Sequence, residues 1–150
     1  MGKKMNPQAR RNARHYALQA MYQWQITGTP AQQIETQFIA NQIKKNIDLD
    51  YFKELIHAIP LDQKELDEHI TPFLKRPLTE LDPVELAILR LATYELVNRL
   101  DIPYRVVLNE ALELTKKFGS IEGFKFVNGV LDQVAHKLRA VEIKADPKKK

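Results

Sequence analysis

The chain has 150 residues, a net charge of +4 and 44% hydrophobic residues, values typical of one globular domain with a single buried core. It has no cysteine, which excludes disulfides, thiolate nucleophiles and cysteine-ligated metal sites. No apolar run reaches the roughly 18–20 residues of a membrane span. The basic start lacks the apolar segment of a signal peptide. We therefore expect a cytoplasmic protein with no membrane association.

The charge is unevenly distributed along the chain. Residues 1–34 carry +5, residues 35–136 carry −5 and residues 137–150 carry +4. Basic ends favour a polyanion as one partner, and an acidic middle favours a basic protein as another. For the terminal lysines we prefer the simpler interpretation, in which they only aid solubility. We expect residues 1–7 to form a basic arm and residues 141–150 to form a Lys-rich, disordered tail.

Hydrophobic residues recur at helical spacing in nearly every segment, and no alternating run is long enough to predict a sheet. The first helix is expected from about residue 7 to 26. A second opens at Pro30, and a third begins at the capping residue Asp48 and ends at Pro60. A fourth is interrupted or kinked by Pro72.

Three further helices have clear start and stop signals. Asp82 is suited to cap a helix that has Pro83 as its first residue and Glu85 as the capping-box partner. The next helix stops at Gly119, and Ser120 caps the last one. The sequence therefore predicts an all-α fold, a compact bundle of about seven helices.

The first helix carries a cluster of arginines beside a stripe of small residues. Three arginines project from the flank of that stripe and lie near tyrosines, an arrangement that suits phosphate and base binding. The alternative is an ordinary amphipathic helix with a solvated basic face, and this segment alone leaves both interpretations open. The stripe comprises Ala9, Ala13, Ala17, Ala20 and Trp24, and the arginines are Arg10, Arg11 and Arg14.

The segment after the sixth helix combines a helix break, an aromatic-rich loop and a lysine. We expect at least one of Phe118, Phe124 and Phe126 to be exposed near Lys125, where it would offer a stacking face to an unpaired base. Gly129 lies in the helix that follows. Because glycine costs about 1 kcal/mol relative to alanine in a helix, we expect a close packing partner against it.

Signals for catalysis are weak throughout the chain. The four histidines lie on separate helices without metal-ligand spacing, and no phosphate-binding glycine loop or nucleophile elbow is present. Glu113 and Lys117 have the spacing of an ordinary solvated helix pair. We predict that the protein is not an enzyme and uses no metal or cofactor.

Four segments occur in an order that resembles the NusB family of bacterial transcription antitermination factors. The likeness covers about residues 8–139, so we expect a NusB-like, all-helical RNA-binding domain over residues 8–140. The matching pieces are Ala9-Arg10-Arg11 with Arg14 and the stretch to Trp24, Val84-Glu85 with residues 88–96, Asp101-Ile102-Pro103-Tyr104 with Asn109-Glu110-Ala111, and residues 125–131.

The resemblance implies two small helical subdomains that bind a boxA-type single-stranded RNA. Binding would occur together with a small-subunit ribosomal protein that acts as NusE. The pair would act indirectly on the RNA polymerase elongation complex and promote read-through of terminators, notably in ribosomal RNA operons. The positions that the resemblance assigns to RNA are Lys3, Lys4, Arg10, Arg11, Arg14, Phe118, Glu122, Lys125 and Phe126.

The resemblance also implies a protein-partner surface on the acidic middle of the chain. It leaves open whether the protein is a monomer or a homodimer. Two alternatives remain: a domain related to the N-terminal part of ribosomal RNA cytosine methyltransferases, which we disfavour because the chain ends at Lys150, and a purely structural interaction module. The partner-surface positions are Arg76, Glu80, Glu85, Leu89 and Tyr94.

Overall fold

The computed structural model describes residues 6–146 and confirms the all-α prediction, since that range contains eight α-helices and no strand. The chain divides after Asp62 into two compact units, as the family resemblance implied. The first unit contains α1 (Pro7–Thr27), α2 (Ala31–Gln37), a π-helical turn (Phe38–Gln42) and α3 (Leu49–Leu61). The second contains α4 (Gln63–Ile70), α5 (Pro83–Asn98), α6 (Tyr104–Phe118), α7 (Ile121–Leu138) and α8 (Ala140–Ala145), with 3₁₀ turns at Thr71–Phe73 and Leu78–Glu80.

In the first unit, α1 packs mainly against α3 and also contacts α2. The small-residue stripe is buried at Ala13, Ala17 and Ala20, as the spacing predicted. Asn6 caps α1 by accepting hydrogen bonds from two backbone N–H groups of the first turn, and Gly28 ends it in a left-handed conformation with φ 73°. The predicted limits of α1 are therefore confirmed.

The third helix ends one residue beyond the predicted end at Pro60. Pro60 lies inside the last turn of α3, which continues to Leu61, and the Asp62 N–H still reaches the Ala58 carbonyl at 2.9 Å. Proline removes only its own N–H, and that single loss near a C-terminus does not stop the turn from closing. The predicted cap is confirmed, since Asp48 Oδ1 accepts from the Tyr51 N–H at 3.1 Å.

In the second unit α5 is the central helix and packs against α4, α6 and α7. Residues 87–96 are all buried, so α5 has no solvated face over that stretch. Arg90 is buried there with a bidentate ion pair to Asp67 on α4, both nitrogen–oxygen distances being 2.9 Å. Such a pairing satisfies a charge that would otherwise be costly to bury.

The start of α5 has half of the predicted capping box. Asp82 Oδ1 accepts from the N–H groups of Val84 and Glu85 at 2.7 and 3.3 Å. Among the described residues, Glu85 does not return a bond to the Asp82 N–H. Its carboxylate lies instead beside Gly123 on α7, where an added Cβ would overlap Glu85 Oε2.

Two expectations about the last long helix are wrong. The aromatic-rich segment is not a loop, because Ser120 caps α7 through the Gly123 N–H at 3.0 Å and Phe124 and Lys125 are already helical. Gly129 has no close packing partner, since nothing described lies within 4 Å of a Cβ placed on it. In α7, Gly123 does face a close neighbour.

The predicted tail from residue 141 also begins too early. Helix α8 belongs to the second unit through Arg139, whose guanidinium donates to the carbonyls of Leu96, Glu95 and Arg99 at the end of α5. Glu142 pairs with Arg139 and accepts from the Tyr104 N–H at the start of α6. Of these backbone groups, the Leu96 carbonyl and the Tyr104 N–H are ones that the helix ends leave without a backbone partner, whereas the Glu95 and Arg99 carbonyls also accept backbone N–H groups.

Candidate nucleic-acid interface

Arg10 is held in place by two neighbours within the first unit. Its guanidinium carbon lies 4.3 Å from the ring centroid of Tyr51, a favourable cation–π distance. Its Nε lies 3.6 Å from Asp48 Oδ2, and neither of these buried atoms makes a hydrogen bond. Asp48 therefore caps α3 with one oxygen and orients Arg10 electrostatically with the other.

Arg14 does not lie on a solvated flank as the helical spacing suggested. The residue is only 4% exposed, and its guanidinium carbon lies 5.6 Å from the same Tyr51 ring. One turn separates Arg14 from Arg10, so both face the same α3 side chain. Arg11, by contrast, is half-buried and lies about 100° around the helix from Arg10. The structure thus gives the three arginines unequal access to a ligand.

The segment of residues 43–48 adds two lysines beside α1 that sequence reasoning did not single out. Three hydrogen bonds fix this segment to α1: Asn12 Nδ2 donates to the Asn46 carbonyl, the Lys44 N–H donates to the Tyr16 hydroxyl, and the Asp48 N–H donates to the Ala9 carbonyl. Lys44 and Lys45 are both exposed. The adjacent lysines were visible in the sequence, but their attachment to α1 was not. Lys3 and Lys4 lie outside the described residues.

The second unit groups the other predicted RNA positions around the end of α6 and the start of α7. Glu122 and Lys125 are exposed, and Phe118 and Phe126 are half-buried. Lys117 Nζ lies 5.6 Å from the centroid of the Phe118 ring. This cluster offers aromatic surface, cations and one carboxylate on adjacent turns, a combination suited to stacking and base-edge contacts.

A surface groove lies beside this cluster, and no sequence motif predicted it. It has a volume of about 380 Å³, within the range of small-ligand clefts. We refer to it as the α6–α7 groove. Its lining includes Thr115, Lys116, Ser120, Ile121, Phe124 and Lys125.

The predicted partner surface divides into exposed and buried positions. Arg76 and Glu80 are exposed and Glu85 is half-buried. Leu89 is completely buried and Tyr94 is only 6% exposed, so these two residues belong to the core and their assignment to a contact surface is wrong. Because α5 is covered on all sides over this stretch, only its first turn has the exposure that a docking surface needs.

Charges near the start of α5 influence one another. Burial raises the pKa of Glu85 above its ordinary value of 4.5, nearby Asp82 raises it further, and Arg76 lowers it. Glu80 and Asp82 are exposed close by in sequence. This stretch is an acidic surface with one embedded arginine, which is complementary to a basic protein.

No group of three or more histidine, aspartate or glutamate side chains in residues 6–146 is placed to hold a metal ion. Over the same residues, no helix combines the length and the hydropathy that crossing a membrane requires.

The fold and these surfaces define a two-unit, all-helical protein with basic surface on both units and with aromatic and acidic surface on the second. The NusB family model matches residues 11–136, and the chain belongs to the NusB family. It is 52% identical over 136 residues to the transcription antitermination protein NusB of Pseudomonas savastanoi pv. phaseolicola, covering 91% of this chain and 82% of that protein. It is 51% identical to the protein of the same name from Alcanivorax borkumensis, covering 95% of both chains.

Solved structures agree with this assignment. A crystal structure of antitermination factors NusB and NusE in complex with double-stranded RNA matches with a TM-score of 0.77 and 27% identity, covering 87% of this chain and 98% of that chain. NusB from T. maritima matches with a TM-score of 0.74 and 30% identity, covering 90% of this chain and 94% of that chain. The family suggested by the sequence motifs is confirmed.

Proposed function

We propose that this protein is a cytoplasmic transcription antitermination factor. It binds boxA-type single-stranded RNA together with a small-subunit ribosomal protein of the NusE type, and it promotes read-through by RNA polymerase, notably in ribosomal RNA operons. The observation that carries the proposal is about 50% identity, over more than nine-tenths of the chain, to relatives named transcription antitermination protein NusB. The function needs no catalytic residue and no cofactor.

On the first unit, Arg10 and Arg11 contact phosphates, with Lys44 and Lys45 adding charge from the adjoining segment. The Tyr51 ring and the Asp48 carboxylate hold the Arg10 guanidinium in one orientation, which reduces the entropy lost when it meets a phosphate. Arg14 supports this arrangement from within the fold, because its burial leaves little of it for a ligand.

On the second unit, Lys125 neutralises phosphate and the rings of Phe118 and Phe126 stack on bases. Glu122 is exposed one turn before Phe126. A carboxylate there weakens indiscriminate attraction to RNA and accepts a hydrogen bond from a base amino group, so it serves selectivity. The NusE-type partner docks on the acidic surface formed by Glu80 and Glu85, with Arg76 beside them.

The proposal is tested by fluorescence anisotropy with a labelled boxA-type RNA, a scrambled RNA and a boxA duplex. Each is titrated with the protein alone and with the NusE-type partner at two salt concentrations. We expect tightest binding to single-stranded boxA, further tightening by the partner, and weakening by salt. The duplex is included because the solved NusB–NusE complex contains double-stranded RNA.

Two variants localise the interaction, one on each unit. Arg11→Ala and Lys125→Ala should each weaken boxA binding and flatten the salt slope by roughly 0.7, the value for one phosphate contact to a single strand. Lys64→Ala, which removes an exposed lysine on α4, is the matched control and should change neither quantity. Equal binding to boxA and scrambled RNA, unaffected by the partner, would refute the proposal.

A further inference from the structure

We propose that the α6–α7 groove is a binding slot for one unpaired RNA base, with Phe124 as its stacking ring and Lys116 as an additional phosphate contact. The inference rests on the proposed function, since it specifies how the RNA surface of the second unit continues beyond Lys125. The family resemblance did not assign Lys116, Ile121 or Phe124 to RNA binding.

The groove walls suit the flat, apolar faces of a base. Phe124 is half-buried in the first turns of α7, and Ile121 is 79% exposed at its first residue. An isoleucine this exposed contributes little to the core of the free protein, because most of its surface stays in water. A base inserted beside Phe124 would cover apolar surface on both side chains and gain the stacking energy that aromatic rings provide.

The charges around the groove favour a nucleotide over an apolar peptide. Lys116 Nζ lies 5.9 Å from the centroid of the Phe124 ring, and Lys125 is exposed on the other helix that lines the groove. Lys116 also pairs with Glu113 at 3.5 Å, but both side chains are more than half exposed, so this pair is weak. Two lysines bordering one aromatic ring are complementary to a base with its flanking phosphates.

Ser120 supplies a polar group that fits a base edge. Its Oγ accepts the Gly123 N–H at 3.0 Å as the cap of α7, and no described residue accepts the hydrogen of its own hydroxyl. That O–H is therefore available to donate to a ring nitrogen or carbonyl oxygen of a base. Thr115 offers no such donor, because its hydroxyl already donates to the Ala111 carbonyl at 2.8 Å.

The slot is also continuous with the RNA surface proposed above. Lys125 lines the groove and is one of the residues assigned to phosphate, and Glu122 lies between Ile121 and Phe124 along α7. A strand that contacts Lys125 therefore needs no more than its next nucleotide to reach Phe124. RNA is the occupant that this continuity supports.

The test is a double-mutant cycle between the protein and an RNA with a single missing base. We use a set of boxA RNAs that each have one abasic position and one flanking nucleotide at either end. Each RNA is titrated with the wild-type chain and with Phe124→Ala. We expect one position at which base removal weakens wild-type binding roughly 5- to 150-fold, the equivalent of about 1–3 kcal/mol of stacking. At that position, Phe124→Ala should show the same loss with the intact RNA and no additional loss with the abasic RNA.

Further variants separate stacking from folding. Phe124→Tyr should retain binding, whereas Phe124→Leu should fold like the wild type and lose most of the position-specific effect. Ile121→Ser should weaken binding at the same nucleotide, and Val141→Ser, at an equally exposed apolar residue on α8, is its control. Thermal unfolding followed by circular dichroism confirms that each variant is folded.

The outcomes distinguish this inference from the function on which it rests. If the wild-type chain does not prefer boxA RNA, the proposed function fails and the slot fails with it. If boxA binding is intact but no abasic position couples to Phe124, the slot is refuted and the proposed function stands. If Phe124→Ala lowers affinity for the NusE-type partner and leaves RNA affinity unchanged, the groove holds a peptide and the inference is wrong.

Discussion

At the scale of single residues, Tyr51 determines what the arginines of α1 can do. Its ring is 2% exposed and lies within cation–π distance of both Arg10 and Arg14. The arginine cluster was evident from the sequence, because three arginines fall within five residues. The unequal exposure of its members was not evident, because it depends on an α3 side chain distant in sequence.

This difference predicts opposite effects for Arg11→Ala and Arg14→Ala. Arg14→Ala should lower the free energy of unfolding by about 2–4 kcal/mol, because it removes a buried cation and the packing of its stem. Arg11→Ala should lower the free energy of unfolding by less than about 1 kcal/mol, yet it should flatten the salt slope of RNA binding by roughly 0.7. Urea denaturation and anisotropy titrations measure the two quantities. Equal destabilisation by both variants would contradict the assigned roles.

Glu85 provides a pH-dependent prediction. Its pKa is raised in the folded protein, so the native state binds more protons than the unfolded state just above pH 4.5. The contribution of Glu85 to the free energy of unfolding therefore falls as pH rises above about 4.5 and the carboxyl group ionises. Glu85→Gln cannot ionise, so the variant does not show this fall. The free energy of unfolding of Glu85→Gln relative to wild type should increase between about pH 4 and pH 7.

Chemical denaturation at the two pH values measures this difference, and Glu68→Gln, at an exposed position on α4, is the matched control. If the free energy of unfolding changes with pH no more for Glu85→Gln than for Glu68→Gln, both relative to wild type, ionised Glu85 does not destabilise the folded protein.

Gly129 gives the simplest stability prediction. It lies inside α7, is exposed, and has open space where a Cβ would be placed. Gly129→Ala should raise the free energy of unfolding by about 0.5–1 kcal/mol, because alanine loses less backbone entropy in a helix. Thermal or urea unfolding measures the gain. A destabilised variant would indicate that α7 has a close neighbour at this position after all.

At the scale of elements, helix starts were predictable because their signals are local. Asp48, Asp82 and Ser120 each cap a helix as expected, since a short polar side chain satisfies N–H groups only two or three residues away. The failure at the end of the chain depended on contacts outside the segment. Residues after 140 form α8 instead of a tail because Arg139 and Glu142 bind the ends of two other helices.

The same reasoning explains which site residues could be found. Lys125 and Glu122 were identified through the family motifs and are exposed, while Leu89 and Tyr94 came from the same motifs and are core. A motif marks positions that a family shares, whether for packing or for contact. Only burial separates the two, and burial on α5 depends on which helices surround it.

The role of α8 predicts where the folded chain ends. A truncation after Asp146 should unfold with the same free energy as the full chain, because the remaining residues keep every bond made by α8. A truncation after Leu138 should be destabilised, since the Leu96 carbonyl at the end of α5 and the Tyr104 N–H lose their side-chain partners.

Each buried polar group left without a partner costs about 1–3 kcal/mol, so the loss should be large enough to measure by urea denaturation. Arg139→Ala in the full chain should reproduce much of it, and Lys137→Ala, an exposed neighbour on α7, should not. If the two truncated chains have the same free energy of unfolding, α8 does not contribute to the stability of the second unit, and the folded part ends near residue 140 as the sequence predicted.

At the scale of the whole molecule, charge assigns different partners to different regions. The basic first helix and the lysines of the second unit suit RNA, and the acidic stretch at the start of α5 suits a basic protein. The charge distribution along the sequence predicted only part of this division: the first helix lies in the basic residues 1–34 and the start of α5 in the acidic residues 35–136, but Lys125 also lies in that acidic stretch. This division of charge predicts that RNA binding and protein-partner binding can be altered separately by single charge changes.

Glu80→Lys tests that separation, since Glu80 is exposed before α5 and makes no ion pair with a described residue. The reversal places a cation against a basic partner, which should lower its affinity roughly 3- to 10-fold, mainly through slower association. RNA affinity of the protein alone should stay within about twofold, because Glu80 is not among the residues proposed to contact RNA. Glu65→Lys, an exposed acid on α4, is the matched control. If both reversals weaken the partner equally, attraction depends on net charge alone; a loss confined to Glu80→Lys places the docking surface at the start of α5.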